Sequence, residues 1–212
     1  MSGFEEGRVL VLAPHTDDAE LGCGGTVARL VEEGRDVHVA MFSLCDKSLP
    51  EGFFTDDLRR EFTVAMGELG VCEGSLHVFD YAVREFPSLR QEILEDMVRL
   101  RGIVYPSLVL MPSLNDVHQD HATVAQEGLR AFKRSTVLCY EDPWNNFSFQ
   151  NQMFVTLTDE QLEKKVAAVY ADVSQRGRDY TQPEFIRSLA HVRGVQIGVP
   201  YAEVFEAPRI VL

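Results

Sequence analysis

The stretch Arg8-Val9-Leu10-Val11-Leu12-Ala13, followed at once by Pro14-His15-Thr16-Asp17-Asp18, decides how the rest of the chain is read. A short, nearly continuous run of Val and Leu without polar alternation is the pattern of a strand buried on both faces of a parallel sheet. Open α/β sheets bind ligands at the carboxyl ends of their strands, which is where the polar cluster beginning at Pro14 falls. Beyond it, Val27, Leu30 and Val31 recur at helical spacing within 24–33, and Gly34 stops that run. Residues 36–42 (DVHVAMF) then predict a second strand.

The alternation continues outward. Helices are expected over 57–69, 88–100 and 121–132, with strands at 76–79, 108–111 and 136–140. Strands alternating with helices through short connections imply parallel pairing by right-handed crossovers, giving a Rossmann-like three-layer α/β/α sandwich around a mostly parallel sheet. The last third differs. Residues 153–157 (MFVTL) are strand-like, Thr158 with Gln161 forms a capping box opening a helix to about Tyr170, and a further helix is expected over 183–192. With no repeat or Pro/Ser-rich linker to separate it, this part reads as a C-terminal cap on one domain spanning 1–212.

Composition narrows the function classes. The 212 residues hold 20 Lys plus Arg against 33 Asp plus Glu, a net charge of −13, so a nucleic-acid partner is disfavoured by repulsion. With 45% hydrophobic residues and 13 Phe, 6 Tyr and 1 Trp, a sizeable core forms without disulfides or a structural metal. The four cysteines, Cys23, Cys45, Cys72 and Cys139, are scattered and form no C-x-x-C pair, so they read as reduced thiols in a cytosol. The first eight residues lack an apolar leader and no run of 18 apolar residues occurs, which argues against secretion and a membrane span.

Two clusters carry the chemistry. His15, Asp17 and Asp18 follow the first strand, and Asn115-Asp116-Val117-His118-Gln119-Asp120-His121 follows the strand ending at Met111. Imidazole and carboxylate suit zinc or a similar divalent ion, which in a catalytic site takes three protein ligands. Such an ion lowers the pKa of water to about 7, and a neighbouring carboxylate can take the proton during attack on a carbonyl. Asp17 beside Asp18 offers a base and a ligand. For one cluster alone, helix capping by the aspartates and ordinary loop histidines would be the better reading; two clusters at corresponding strand ends make coincidence harder.

VLAPHTDDAELGCGGTVARL resembles the opening motif of the PIG-L/LmbE-like family of zinc-dependent N-deacetylases, and NDVHQDH resembles its second motif. Further likeness runs through RQEIL at 90–94, YEDPWNNFSF at 140–149, Ser174-Gln175 and RGVQIGVPYAEVF at 193–205, covering nearly the whole chain. The resemblance implies that His15, Asp18 and His121 bind zinc, that Asp17 is the general base, that His118 stabilises the oxyanion, and that Asp120 orients an imidazole. The implied reaction removes acetyl from an N-acetylated amino sugar or its conjugate. The implied partner is therefore a small N-acetylated sugar, and self-association of copies is compatible with the reading. The alternative is a catalytically silent sugar- or nucleotide-sugar-binding protein on the same fold. Two departures stand out: Thr16 and Ala19 replace the commoner Pro and Glu of the first motif, and Leu58 occupies a position where many relatives carry an Arg that contacts substrate, leaving Arg59 and Arg60 beside it.

Other residues carry weaker signals. Gly22, Gly24 and Gly25 do not complete a dinucleotide fingerprint, because Val27 stands where its last glycine is required. No nucleotide cofactor is expected. Trp144, Asn145 and Asn146 suit either a sugar ring or a packed loop. His38 and His77 lie in strands and read as structural, and His191 as a surface or core residue. Arg176, Arg178 and Tyr180 suit either a phosphate or ordinary ion pairs.

Overall fold

A computed structural model describes residues 7–211. Strand β1 (Arg8–Ala13) is buried from Val9 onward, and its pleat sends successive side chains to opposite faces. Val9, Val11 and Ala13 enter one core cluster, while Leu10 and Leu12 enter another. Each face is therefore covered by a helical layer. Following β1 come α1 (Asp18–Glu32), β2 (Val37–Met41), α2 (Thr55–Glu68), β3 (Leu76–Val78), α3 (Arg90–Val104), β4 (Pro106–Pro112), α4 (Gln119–Ala131) and β5 (Thr136–Tyr140). The remaining elements are β6 (Met153–Leu157), α5 (Asp159–Ala171), α6 (Pro183–Ile197) and β7 (Tyr201–Arg209).

The sheet order is β3-β2-β1-β4-β5-β7-β6. Strands β1 to β5 pair in parallel, and β7 runs antiparallel to both β5 and β6. The expected three-layer architecture is present. The chain leaves β1 toward β2 on one side, and β4 returns to the other side of β1, so a crevice opens between the carboxyl ends of β1 and β4.

The C-terminal third does more than cap. Strands β6 and β7 extend the sheet, and α5 packs its buried Leu162, Val166 and Val169 with Leu21 of α1 and with Ile186 and Ala190 of α6. The Thr158 and Gln161 capping box forms as expected. Helix α6 runs five residues beyond the expected end and stops at Gly198, whose φ of 77° is the left-handed conformation glycine adopts at low cost.

Helix α1 begins six residues earlier than its periodicity predicts and is kinked at Cys23, with φ −146° and ψ 21°. Glycine is a poor helix former, which hides this start in the sequence. Packing explains Gly22 and Gly25: a Cβ on Gly22 would lie 2.2 Å from the buried Tyr140 ring, and one on Gly25 would lie 2.5 Å from Leu157. The kink also leaves amides beyond it without helical partners. Glu203 of β7 receives them, accepting from Gly25 N at 3.0 Å and Thr26 N at 2.6 Å while pairing with Lys165 Nζ at 2.6 Å.

All four cysteines are free thiols. Among the described residues no helix is long and apolar enough to cross a membrane.

Candidate metal centre

The loops after β1 and β4 meet in the crevice. His15 Nδ1 lies 3.2 Å from His121 Nε2 and 3.3 Å from one Asp18 carboxylate oxygen, whose other oxygen lies 3.3 Å from His121 Nε2. A tetrahedral zinc ion with bonds of about 2.0–2.1 Å holds its donors about 3.3 Å apart, so these three groups fit such an ion in donor chemistry and, pair by pair, in spacing, with one oxygen of Asp18 turned to each ring. Asp18 is positioned locally: it opens α1, and its carboxylate accepts the His15 backbone N–H at 2.7 Å.

The outer nitrogen of each ring meets a carboxylate. His15 Nε2 is 3.1 Å from Asp120, and His121 Nδ1 is 2.9 Å from Asp116 and 3.5 Å from Asp142. Such partners fix ring orientation and raise ligand basicity. Asp120 is itself held by the backbone N–H groups of Arg84 at 2.6 Å and Phe86 at 3.4 Å. Asp116 also accepts the His118 N–H at 2.7 Å, which shapes the turn leading into α4.

The field at the crevice favours positive charge. Burial opposes a charged His15, but Asp18 and the hydrogen bonds to Asp120 and Asp18 overcome it and raise its pKa to about 9. His121 is raised in the same way, burial again opposing, by Asp18, Asp116 and Asp142. For Asp18, burial is outweighed by His121 and His15, which hold its carboxyl well below the usual range. Asp142 is pushed up to about 7 by burial, His121 notwithstanding.

Asp17 lies beside this cluster on the wall of a cleft of about 250 Å³, with its carboxyl raised by burial and by Asp18. His118 is the N-cap of α4, and its Nδ1 accepts the Asp120 N–H at 3.2 Å. In the neutral ring the proton therefore sits on Nε2, leaving a donor there. Burial and the neighbouring histidines lower the His118 pKa. The ring nitrogens of His15, His118 and His121 come within 4.8 Å of one another, so His118 is a further candidate donor, yet its second nitrogen meets a backbone amide where the other two rings meet carboxylates.

All six residues singled out from the two clusters are thus brought together. Asp142 and Asp116 were given no role from the sequence, although both lie inside the quoted motifs. Trp144, Asn145, Gln175, Arg178, Tyr180 and Cys45 also line the cleft. Trp144 stacks on Tyr180 with ring centroids 4.2 Å apart, whereas Asn146 is spent on the Asp142 N–H. Leu58 is buried in the core, and Arg60 pairs with Asp57 away from the cleft lining. His38 and His77 hydrogen-bond each other between β2 and β3, and His191 meets the Pro200 carbonyl. Of the glycine-turn amides, that of Gly25 serves Glu203.

Residues 10–132 match the GlcNAc-PI de-N-acetylase (PIG-L) family, and the chain belongs to that family. It is 28% identical over 220 aligned residues to a diacetylchitobiose deacetylase of Thermococcus kodakarensis, covering 92% of this chain and 81% of that protein. It is 30% identical over 166 residues to the uncharacterized deacetylase YaiS of Escherichia coli, covering 76% of this chain and 88% of that one. Among solved structures, a conserved protein from Thermus thermophilus superposes with a TM-score of 0.80 at 25% identity, over 98% of this chain and 97% of the other.

Proposed function

We propose that this protein is a zinc-dependent hydrolase that removes the acetyl group from an N-acetylated amino sugar or its conjugate, releasing acetate and a free amine. The observation that carries this reading is the convergence of His15, His121 and the two carboxylate oxygens of Asp18 at 3.2–3.3 Å beside Asp17, at the crevice of a family fold whose relatives include deacetylases. A divalent ion held by those three residues supplies a Lewis acid for the amide carbonyl and makes water more acidic.

Asp17 takes the proton from the attacking water, a task suited to a carboxyl whose basicity burial and Asp18 raise above the ordinary range. His118, with its proton on Nε2, donates to the carbonyl oxygen as negative charge develops there. The proton gained by Asp17 is the one the departing amine needs, so the reaction closes without a second acid. Asp120 locks the His15 ring, and Asp116 locks His121. Trp144 and Asn145 flank the sugar ring on the cleft wall. The continuous sheet supports action as one domain, and the four free thiols support a reducing, cytosolic setting.

The test is acetate release from a panel of N-acetylated sugars by zinc-loaded protein. Asp17→Asn is expected to lower turnover by about 10²–10⁴-fold while zinc affinity stays within a few-fold. Wild-type turnover by a fully metallated Asp17→Asn protein would remove the base assignment.

A further inference from the structure

The connection between α5 and α6 brings a cation to the mouth of the cleft. Of the described residues lining that cleft, Arg178 is the one with a permanent positive charge, in a chain whose net charge is −13. Its side chain donates to the Tyr180 hydroxyl and lies 5.6 Å over the ring of the same residue. Tyr180 is pinned in turn by its stack on Trp144. The loop itself is stapled: Arg178 N donates to the Gln175 carbonyl at 3.0 Å, Thr181 Oγ1 donates to the same carbonyl at 3.1 Å, and Gln182 Nε2 donates to the Arg178 carbonyl at 3.1 Å. The guanidinium is therefore held in place before any ligand arrives, which lowers the ordering cost of binding.

Neighbouring arginines are used differently. Arg176 directs its guanidinium at the Tyr170 carbonyl and ring, Arg187 pairs with Glu163, and Arg193 pairs with Glu141. Arg178 instead keeps most of its five N–H donors for whatever enters the cleft, in a planar fork that matches a carboxylate or phosphate. Its exposed position at the rim, within the field of Asp17, leaves the guanidinium open to an anionic group of a ligand in the cleft.

We propose that the substrate is an N-acetylated amino sugar bearing an anionic substituent, carboxylate or phosphate, which Arg178 recognises at the cleft mouth. This rests on the deacetylase reading and narrows its substrate class. A charge-assisted pair at a partly solvated rim is worth about 10- to 100-fold in kcat/KM, and it weakens as salt screens beyond about 8 Å.

The experiment compares N-acetylglucosamine, its 1-phosphate, its 6-phosphate and N-acetylmuramic acid as substrates for zinc-loaded wild type, Arg178→Gln and Arg178→Lys. The expected result is that wild type prefers at least one anionic sugar over the neutral one by about tenfold or more. Arg178→Gln brings that ratio near one, and Arg178→Lys keeps part of it. The phosphate and carboxylate arms identify which anion is read. Equal turnover of all four sugars by wild type, or equal losses on neutral and anionic sugars in Arg178→Gln, overturns the proposal.

Calorimetric binding of the same sugars to zinc-loaded Asp17→Asn, with and without Arg178→Gln, separates this inference from the reaction. Arg178-dependent binding of an anionic sugar without acetate release by wild type retains the anion site and removes the deacetylase reading. Binding indifferent to Arg178, or no binding at all, removes the anion site.

Discussion

Replacing Glu203 by alanine strips the kink of α1 of its acceptor. In the folded protein this carboxylate receives the Gly25 and Thr26 amides and the Thr26 hydroxyl, and it pairs with Lys165 at 2.6 Å, both charged side chains being 6–7% exposed. Removing one partner of a buried pair leaves the other charge uncompensated, which costs about 3–5 kcal/mol. Water entering the space left by the side chain can satisfy the amides, so their loss adds little to that figure. For a chain of this length each kcal/mol lowers Tm by about 2–4 °C, and the expected drop is about 6–20 °C. Adding Lys165→Met removes the stranded ammonium and should recover about 2 kcal/mol, a coupling that two independent lesions would not show. Urea denaturation followed by circular dichroism measures all four members of the cycle. A loss below about 1 kcal/mol for Glu203→Ala, or strict additivity in the double variant, would refute the argument that this carboxylate is the buried counter-charge of Lys165.

Three further outcomes are expected. Asp120→Asn should weaken zinc binding by about 10- to 100-fold, or about 1.4–2.8 kcal/mol, because His15 loses a charged partner; competition with a chelator measures it, and unchanged affinity would deny Asp120 its orienting role. The buried Glu20 and Asp172 carboxyls are both raised, Glu20 by burial and by Asp172, and Asp172 to about 8 by burial with Asp17 and Glu61 adding. The folded state then retains protons that the unfolded chain releases above about pH 4, so stability is full at low pH and declines as pH rises toward 8. Asp172→Asn should flatten that decline between pH 6 and 8.5, as read from urea midpoints, and an unchanged slope would exclude the pair as its source. In kcat/KM, activity should fall as pH drops and Asp17 takes up a proton, and a profile with no acid limb that Asp17→Asn abolishes would contradict the base assignment.

How much of this was legible from the residues differs from element to element. The run at 8–13 announced a strand buried on both faces, and β5 and β6 fell at their expected limits, because each is a short apolar stretch between turn residues. Strand β7 was missed as a strand because Glu203 and Glu206 interrupt its apolar pattern. Both are buried against partners remote in sequence, Lys165 and Ser113, which a pattern reading does not reveal. The start of α1 was hidden by glycines retained for packing against Tyr140 and Leu157. At the site, the loops after β1 and β4 were readable because topology alone brings strand ends together. Asp142, Tyr180, Gln175 and Cys45 come from other loops, and their convergence depends on how those loops fold.

The proposed chemistry requires that His15, Asp18 and His121 bind one divalent ion while Asp17 stays outside the ligand set. Anomalous diffraction at the zinc edge from crystals equilibrated with zinc measures this directly. One strong peak bonded to His15 Nδ1, His121 Nε2 and Asp18 is expected, lost in His15→Ala crystals. A peak centred instead on His118 or Asp142, or no peak at saturating zinc, would contradict it.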